Sequence, residues 1–212
     1  MTRMNATPDL IDDAVARREN PYASRFVRPG AMPYVFPSDM TIARLVDRFD
    51  ELGRRAAITG PHGSGKSTLL ASLTAELAAR GNDVVSRALR DGAQGFEPID
   101  FQQLSPRSVL VIDGYEQLSL WRRIAIALGV RRRRAGLIVT THDAVRLPIL
   151  YRTTTTPESA VQLALQLAAT STSTEVANPI APDDVRRLFA RHEGNLREVF
   201  FSLYDLYESR RS

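Results

Sequence analysis

The chain contains no cysteine, which excludes disulfide bonds, thiol catalysis and cysteine-ligated metals. Its three histidines, His62, His142 and His192, lie far apart in the sequence, so we predict no metal site built on them. No apolar run is long enough to suggest a membrane span, and the first residues lack the apolar stretch of a signal peptide. We therefore expect a cytoplasmic protein without membrane attachment. The formal net charge of +4 permits acidic partners without requiring them.

Lysine is also nearly absent. Lys66 is the only lysine among the 28 basic side chains, and all the others are arginine. Lys66 lies in the glycine-rich stretch GPHGSGKS, residues 60–67. A phosphate-binding loop needs a compact point charge on a flexible stem, and the guanidinium group of arginine is too broad for that place. The retention of lysine here favours a phosphate site over an ordinary glycine-rich turn.

Apolar runs of strand length alternate with helix-length amphipathic segments, which predicts a parallel α/β sheet of about five strands. We expect the strands at residues 55–60, 83–90, 108–113, 135–141 and 147–156. Helices are expected at residues 39–52, 65–80, 118–133, 157–170, 183–192 and 195–210, the last two after a polar linker at 170–182. The chain then has three parts: an extended, proline-rich lead (1–38), a core (39–156) and a small C-terminal helical lid (157–212).

The stretch GPHGSGKS fits the pattern G-x-x-x-x-G-K-[ST] at every fixed position, between an apolar strand and an amphipathic helix. Backbone N–H groups of such a loop converge on phosphate oxygens, and the helix N-terminus adds a favourable dipole. At these residues the chain resembles the P-loop NTPases, and the stretch resembles their Walker A motif. In this interpretation Lys66 bridges the terminal phosphates and Ser67 ligates Mg²⁺. The predicted nucleotide-binding residues are Gly60, Pro61, His62, Gly63, Ser64, Gly65, Lys66, Ser67 and Thr68.

The segment SVLVIDGYEQL, residues 108–118, resembles the Walker B motif of the same family. Asp113, at the end of an apolar strand, corresponds to the aspartate that holds Mg²⁺. In many AAA+ ATPases the water-activating glutamate follows directly, and here that position is Gly114. The nearest acid is Glu116, and a resemblance to STAND and related signalling ATPases makes it the candidate catalytic base. The alternative is a solvated acid in the first turn of a helix, where the helix dipole favours it.

Two further segments resemble the sensors of AAA+ ATPases. The strand GLIVTTHD ends in Thr140, Thr141 and His142, and the resemblance implies that Thr141 or His142 touches the γ-phosphate or the attacking water. Alternatively, His142 only caps the next helix. The segment EGNLREV, residues 193–199, resembles the sensor-2 region of the lid, with Arg197 facing the phosphates; a surface arginine would also fit. No LSGGQ-like signature accompanies TTHD, which disfavours an ABC ATPase.

Four consecutive arginines, Arg131–Arg134, end the helix predicted after Glu116. The simplest interpretation is a solvated cationic helix end, which the helix dipole favours. The alternatives are a patch for nucleic acid or an acidic partner, and an arginine finger that completes a neighbouring subunit's site. Aromatic residues upstream of the loop either cover the adenine, as in AAA+ proteins, or pack in the core. They are Tyr22, Phe26, Tyr34 and Phe36.

The resemblance implies an ATP-binding and ATP-hydrolysing protein of AAA+ or STAND type that uses Mg²⁺. Such a protein couples its nucleotide state to a protein partner, here unidentified, and can assemble with copies of itself. ATP rather than GTP follows from the resemblance and from the absence of an N-K-x-D guanine motif. Two alternatives stay open. One is a small-molecule kinase with Arg87, Arg90 or Arg152 over the transferred phosphate, and the other is a nucleic-acid-associated ATPase or loader that uses the arginine run.

Overall fold

The computed structural model describes residues 20–36, 40–89, 99–143, 145–171 and 179–211. The strands are β1 (Arg55–Thr59), β2 (Asp83–Ala88), β3 (Ser108–Asp113), β4 (Gly136–Thr141) and β5 (Ile149–Arg152). The helices are α1 (Ser24–Val27), α2 (Ile42–Glu51), α3 (Lys66–Ala79), α4 (Leu120–Arg133), α5 (Pro157–Ser171), α6 (Pro182–Arg191) and α7 (Leu196–Arg211). The described residues form two compact units, one within Met32–Thr154 and the other within Met1–Ala31 and Thr155–Ser212. We call them the sheet unit and the helical unit.

The sheet unit contains five strands in the order β2-β3-β4-β1-β5, and every pair is parallel. This confirms the predicted α/β fold. Strand β4 pairs with β1 on one side and with β3 on the other. Because the strands are parallel, the carboxyl ends of β1, β4 and β3 meet at the same edge of the sheet, where α/β proteins bind ligands.

The central strands are apolar at nearly every position because helices or turns cover both faces of the sheet. Alternate residues of each strand point to opposite faces, so Ala56 and Ile58 pack on one side while Ala57 packs on the other. Helices α2 and α3 cover the first face, chiefly through Leu45, Val46, Phe49, Leu69, Leu70, Leu73 and Leu77. Ile126 and Val130 of α4 belong to the cluster on the second face. These two layers fix the edge at which the candidate site lies.

The helical unit combines α5, α6 and α7 with the one-turn helix α1. Tyr22 is buried in it and meets Tyr207 of α7 edge to face, with ring centroids 6.0 Å apart. Asp184 of α6 is buried and accepts two hydrogen bonds from Arg210 of α7, and it also pairs with Arg187. The hydrogen bonds from Arg210 lower the pKa of Asp184, so its carboxylate stays charged and ties α6 to α7.

Several predicted boundaries differ from the observed ones. The lead was predicted to be extended without a helix, but the residues between Pro21 and Pro29 form the single turn α1, which is short enough to fit between the two prolines. Strand β2 ends at Ala88, and α4 begins at Leu120 after a 3₁₀ turn at Tyr115–Gln117. Arg90 and residues 172–178 of the predicted linker lie outside the described residues. None of the helices in the described ranges is long and apolar enough to cross a membrane.

Candidate functional site

The glycine-rich loop joins the end of β1 to the start of α3, and it packs closely against Thr153 and Tyr34. A Cβ atom built on Gly60 would lie 2.1 Å from Oγ1 of Thr153, which follows β5. A Cβ atom on Gly65 would lie 3.1 Å from the ring of Tyr34, and Gly65 has a left-handed φ of +85°. Only glycine fits these two places without displacement of its neighbours, so the backbone itself forms the concave surface of the loop.

Hydrogen bonds within the sheet unit hold this loop in shape. The Ser64 hydroxyl donates to the Pro61 carbonyl at 2.8 Å and lies 2.6 Å from the Thr153 hydroxyl. The Lys66 ammonium donates to the carbonyls of Gly60 and Pro61 at 2.8 and 2.7 Å. The single lysine of the chain therefore lies across the mouth of the loop, where a terminal phosphate of a bound nucleotide would need a cation.

The loop also ends in a helix N-terminus suited to an anion. Helix α3 is 14 residues long, and its N-cap, Gly65, offers no side-chain cap to the first turn. The N–H groups of Lys66, Ser67 and Thr68 belong to that first turn, and the helix dipole makes the place favourable for phosphate. The packed glycines, the lysine and the helix end thus fit a nucleotide phosphate chain, although the roles of the individual loop residues stay predictions.

The predicted metal ligand Asp113 lies at the carboxyl end of β3 and is fixed by the neighbouring strand. The Thr140 hydroxyl of β4 donates a short hydrogen bond to Asp113 Oδ1 and accepts one from the Gly114 backbone N–H at 2.9 Å. The carboxylate is therefore oriented before any cation arrives. A carboxylate and the hydroxyl of Ser67 are oxygen ligands of the kind that Mg²⁺ prefers, so the chemistry of this pair fits the ion.

The candidate base contacts His142, which in turn contacts His62. Glu116 Oε1 lies 2.9 Å from Nδ1 of His142, and the ring of His142 contacts the ring of His62 with centroids 4.4 Å apart. The Glu116 side chain is 11% exposed, and its second oxygen, Oε2, is buried with no hydrogen-bond partner in the described structure. No cluster of three possible metal ligands occurs among the described residues. The two histidines, distant in sequence, are thus neighbours in space.

The turn that carries Glu116 is held from two sides. Arg123 of α4 donates to the Glu116 carbonyl at 2.5 Å and to the Leu118 carbonyl at 2.9 Å, which fixes the 3₁₀ turn. Gly114 starts this turn with φ of +82°, and a Cβ there would lie 3.1 Å from the Leu89 carbonyl oxygen. The usual position of the base in AAA+ ATPases, directly after the aspartate, therefore favours glycine in this chain.

The polar end of β4 was predicted to provide a sensor through Thr141 or His142. Thr141 is fully buried, and its hydroxyl bonds the backbone of Asp143 in a local turn. His142 contacts Glu116 instead, and Thr140, which we did not single out, contacts Asp113. The two-residue period of a strand puts Thr140 and Thr141 on opposite faces, and that signal could have identified Thr140. Contact of Thr141 or His142 with phosphate or water stays a prediction.

The remaining candidates lie elsewhere in the two units. Arg197 is an exposed residue in the first turn of α7 in the helical unit, and its predicted contact with phosphates stays a prediction. Tyr22 is packed inside that unit, so its ring is not available to cover the adenine of a nucleotide. Tyr34 and Phe36 pack edge to face with each other and with Tyr151 against the sheet core. Burial of Tyr34 raises the pKa of its hydroxyl.

Comparisons with known proteins support the fold. No family model and no curated protein sequence matches the chain. Similar solved structures are replication initiator DnaA bound to AMPPCP and single-stranded DNA (TM-score 0.52, 16% identity, 80% of this chain), a DNA replication initiation factor (0.51, 16%, 76%) and NtrX from Brucella abortus in complex with ATP (0.57, 14%, 95%). The chain spans 61%, 58% and 55% of these three proteins. DnaA and NtrX are AAA+ P-loop ATPases, so this chain has a P-loop NTPase fold resembling the AAA+ class.

Proposed function

We propose that this chain, whose fold resembles AAA+ P-loop ATPases, binds ATP with Mg²⁺ and hydrolyses it. The observation that carries the proposal is the meeting of three elements at the carboxyl ends of adjacent strands. The phosphate-type loop follows β1, the Thr140–Asp113 pair joins β4 to β3, and the His142–Glu116 pair lies just beyond the ends of the same two strands. A cradle, an oriented carboxylate and a separate, nearly buried carboxylate are the parts that nucleotide hydrolysis requires.

Binding in this proposal relies on residues 60–68. The backbone N–H groups of the loop and of the first turn of α3 contact the phosphates, and the Lys66 ammonium transfers its hydrogen bonds from the loop carbonyls to phosphate oxygens. Ser67 and Asp113 would hold Mg²⁺, which neutralises charge on the phosphates when it is bound. The oriented Asp113 carboxylate lowers the cost of arranging this site during turnover, because Thr140 has already fixed it.

Hydrolysis in this proposal relies on Glu116. A water oxygen forms a bond to the γ-phosphorus while the bond from that phosphorus to the β,γ-bridging oxygen breaks, and ADP leaves. The proton of the water passes to Glu116, whose Oε2 is not committed to another described group. Oε1 is held by His142, so the carboxylate keeps one orientation during the transfer. Glu116 can then return the proton to solvent or to phosphate.

Coupling to a partner is proposed through the helical unit, which corresponds in chain order to the lid of AAA+ ATPases. Arg197, near the start of its last helix, would report the phosphate state to that unit. The partner proposed is a protein, with a second copy of the chain as one option. The kinase alternative keeps one candidate, Arg152, the last residue of β5. The Arg87 guanidinium donates to the neighbouring Ser86 carbonyl, and Arg90 lies outside the described residues.

The direct test is the release of inorganic phosphate from MgATP by the parent protein over a range of protein concentrations. We expect turnover without any added phosphate acceptor, which a kinase would need. A specific rate that rises with concentration would support assembly of copies, as opposed to a monomeric ATPase. Absence of ATP binding and of turnover over the whole range, with and without DNA, would contradict the proposed function.

A nucleic-acid-associated ATPase is a second candidate, and a specific surface of α4 favours it. All four side chains of Arg131–Arg134 are exposed, and none of them forms an ion pair within the described residues. Trp121, at the opposite end of the same helix, is 79% exposed and offers a flat ring of the kind on which bases stack. Cations that lack acidic partners are free to contact phosphates of a polyanion.

We predict that replacing Arg131–Arg134 with serine weakens binding of single-stranded DNA and flattens its salt dependence. Each lost phosphate contact reduces the slope of log K against log[salt] by roughly 0.7 for a single strand. Fluorescence anisotropy with a labelled oligonucleotide between about 50 and 200 mM salt would measure this slope. A control with the same change in charge replaces four arginines that are exposed elsewhere in the chain, Arg28, Arg44, Arg107 and Arg191. Equal slopes for parent and variant would show that the run does not bind single-stranded DNA.

A further inference from the structure

We propose that His62, on the phosphate loop, is a positioning residue for Glu116 and acts through His142. This inference rests on the proposed function, because it assumes that Glu116 is the base. It adds a role for a loop residue whose type the Walker A pattern leaves open, since the third position of G-x-x-x-x-G-K-[ST] accepts any residue. The loop would thereby fix the base sterically, in addition to binding the phosphates.

A series of contacts connects the loop to the carboxylate: His62 contacts His142, and His142 contacts Glu116. The rings of His62 and His142 are in contact, with centroids 4.4 Å apart and planes inclined by 43°. Nδ1 of His142 lies 2.9 Å from Oε1 of Glu116, so the imidazole N–H donates to the carboxylate. On its other side, Nε2 of His142 lies 3.7 Å from the Asp143 carboxylate, beyond a normal hydrogen bond. The strong polar contact of this ring is therefore the one with Glu116.

His142 needs a second support to hold Glu116 in one orientation. It follows the last residue of β4, and its side chain is one-third exposed, so the strand fixes its backbone but not its ring. A single hydrogen bond lets an imidazole rotate about χ2, whereas contact with a neighbouring ring restricts that rotation. His62 supplies this contact, with its ring plane inclined by 43° to that of His142. Rotation of the His142 ring would turn the donor away from Oε1 and release the carboxylate.

The surroundings of the Glu116 carboxylate suit it to accept a proton. Arg123 fixes the backbone of its turn, and burial leaves Oε2 with no described donor. Such an oxygen is unfavourable in a purely structural acid, because buried polar atoms are nearly always hydrogen-bonded. It is suited to a base, whose free oxygen accepts the proton of a water. A small displacement of a positioned catalytic group costs up to roughly a hundredfold in rate, so support of His142 by His62 has a measurable consequence.

The test compares His62→Ala with His62→Phe, which keeps a flat ring but removes both ring nitrogens. We expect His62→Ala to lower kcat roughly ten- to a hundredfold, a larger factor than its effect on the dissociation constant of MgATP. His62→Phe, which keeps the ring contact, should be clearly faster than His62→Ala. His192→Ala serves as the matched control, since His192 contacts Ser202 in the helical unit. A His62→Phe variant as slow as His62→Ala would overturn the ring-contact proposal in favour of a role for the imidazole nitrogens.

A double variant separates positioning from general damage. If His62 acts through Glu116, His62→Ala should cause no further loss of kcat in a Glu116→Gln background, because the two changes remove the same contribution. If the losses in kcat of the two single variants multiply in the double variant, the proposal that His62 acts through Glu116 is overturned. Tighter or weaker nucleotide binding that accounts for the whole loss in kcat/KM would overturn it as well.

A readout without turnover distinguishes failure of this inference from failure of the proposed function. The chain has only three histidines, so imidazole ¹H–¹⁵N spectra can be assigned from single variants. We expect His142 to carry its proton on Nδ1 in the parent and in His62→Phe, and to lose that preference in His62→Ala and in Glu116→Ala, which removes the acceptor. If the parent does not hydrolyse ATP but shows these His142 spectra, the proposed function fails, while the support of His142 by His62 is confirmed. An unchanged His142 spectrum in His62→Ala would overturn the proposal that His62 positions His142, independently of the measured turnover.

Discussion

Replacing Lys66 with alanine is expected to abolish detectable ATP binding, or to weaken it at least ten- to a hundredfold. Lys66 is the only lysine of the chain, and its ammonium lies over the carbonyls of Gly60 and Pro61 at the mouth of the loop. A hydrogen bond to a charged group contributes about 1.5–3 kcal/mol, which corresponds to that range of affinity for a single phosphate contact. Isothermal titration with MgATP, or displacement of a fluorescent nucleotide, measures the change.

Lys66→Arg is the matched control because it keeps the positive charge. We expect it to bind nearly as poorly as the alanine variant, since the planar guanidinium group does not fit where the slim ammonium reaches two carbonyls of a tight loop. Thermal melting should show both variants folded, because α3 and the sheet core do not depend on this side chain. Parent-like affinity in both variants would remove the interpretation of residues 60–67 as a phosphate cradle.

The sequence predicted the central strands well because β1, β3 and β4 are short, apolar and buried. The edge strand β5 is Ile149–Arg152, shorter than the predicted 147–156. Strand β3 was predicted at the same residues that the structure shows, Ser108–Asp113, and β1 differs by one residue at its end. Runs of this kind bury every side chain between two covered faces, so composition alone distinguishes them from loops. Strand order follows less directly from sequence, and the structure shows β4 between β1 and β3, which brings the carboxyl ends of these three strands side by side.

The parts that sequence could not specify depend on contacts between residues distant along the chain. Nothing in the spacing of His62 and His142 indicates that their rings meet, and their separation argued only against a shared metal site. The donation from Thr140 to Asp113 likewise needs the register of β4 against β3. Local turns were also missed: the left-handed Gly114 starts a 3₁₀ turn, so α4 begins later than its apolar period predicted. Helical periodicity carries no information on such turns.

The conversion of Glu116 to glutamine is expected to lower ATP turnover at least about a hundredfold while MgATP affinity stays within a few-fold of the parent. A group that takes a proton from the attacking water contributes about 10² to 10⁴ in rate, and an amide cannot take that proton. Glutamine has the shape of glutamate and keeps a carbonyl oxygen to accept from His142, so the turn and the loop should be undisturbed. Single-turnover phosphate release at saturating MgATP isolates this step from nucleotide binding.

Two comparisons give the Glu116 result its meaning. Asp113→Asn should act differently, by weakening the dependence of turnover on Mg²⁺, because Asp113 is the proposed ligand. Gly114→Glu in the Glu116→Gln background should restore nothing, since position 114 has φ of +82° and a side chain there meets Leu89 and Gln117. Parent-like hydrolysis by Glu116→Gln would reduce Glu116 to an acid that stabilises its turn. A rescue by Gly114→Glu would instead show that the turn adapts and that the base can occupy the usual AAA+ position.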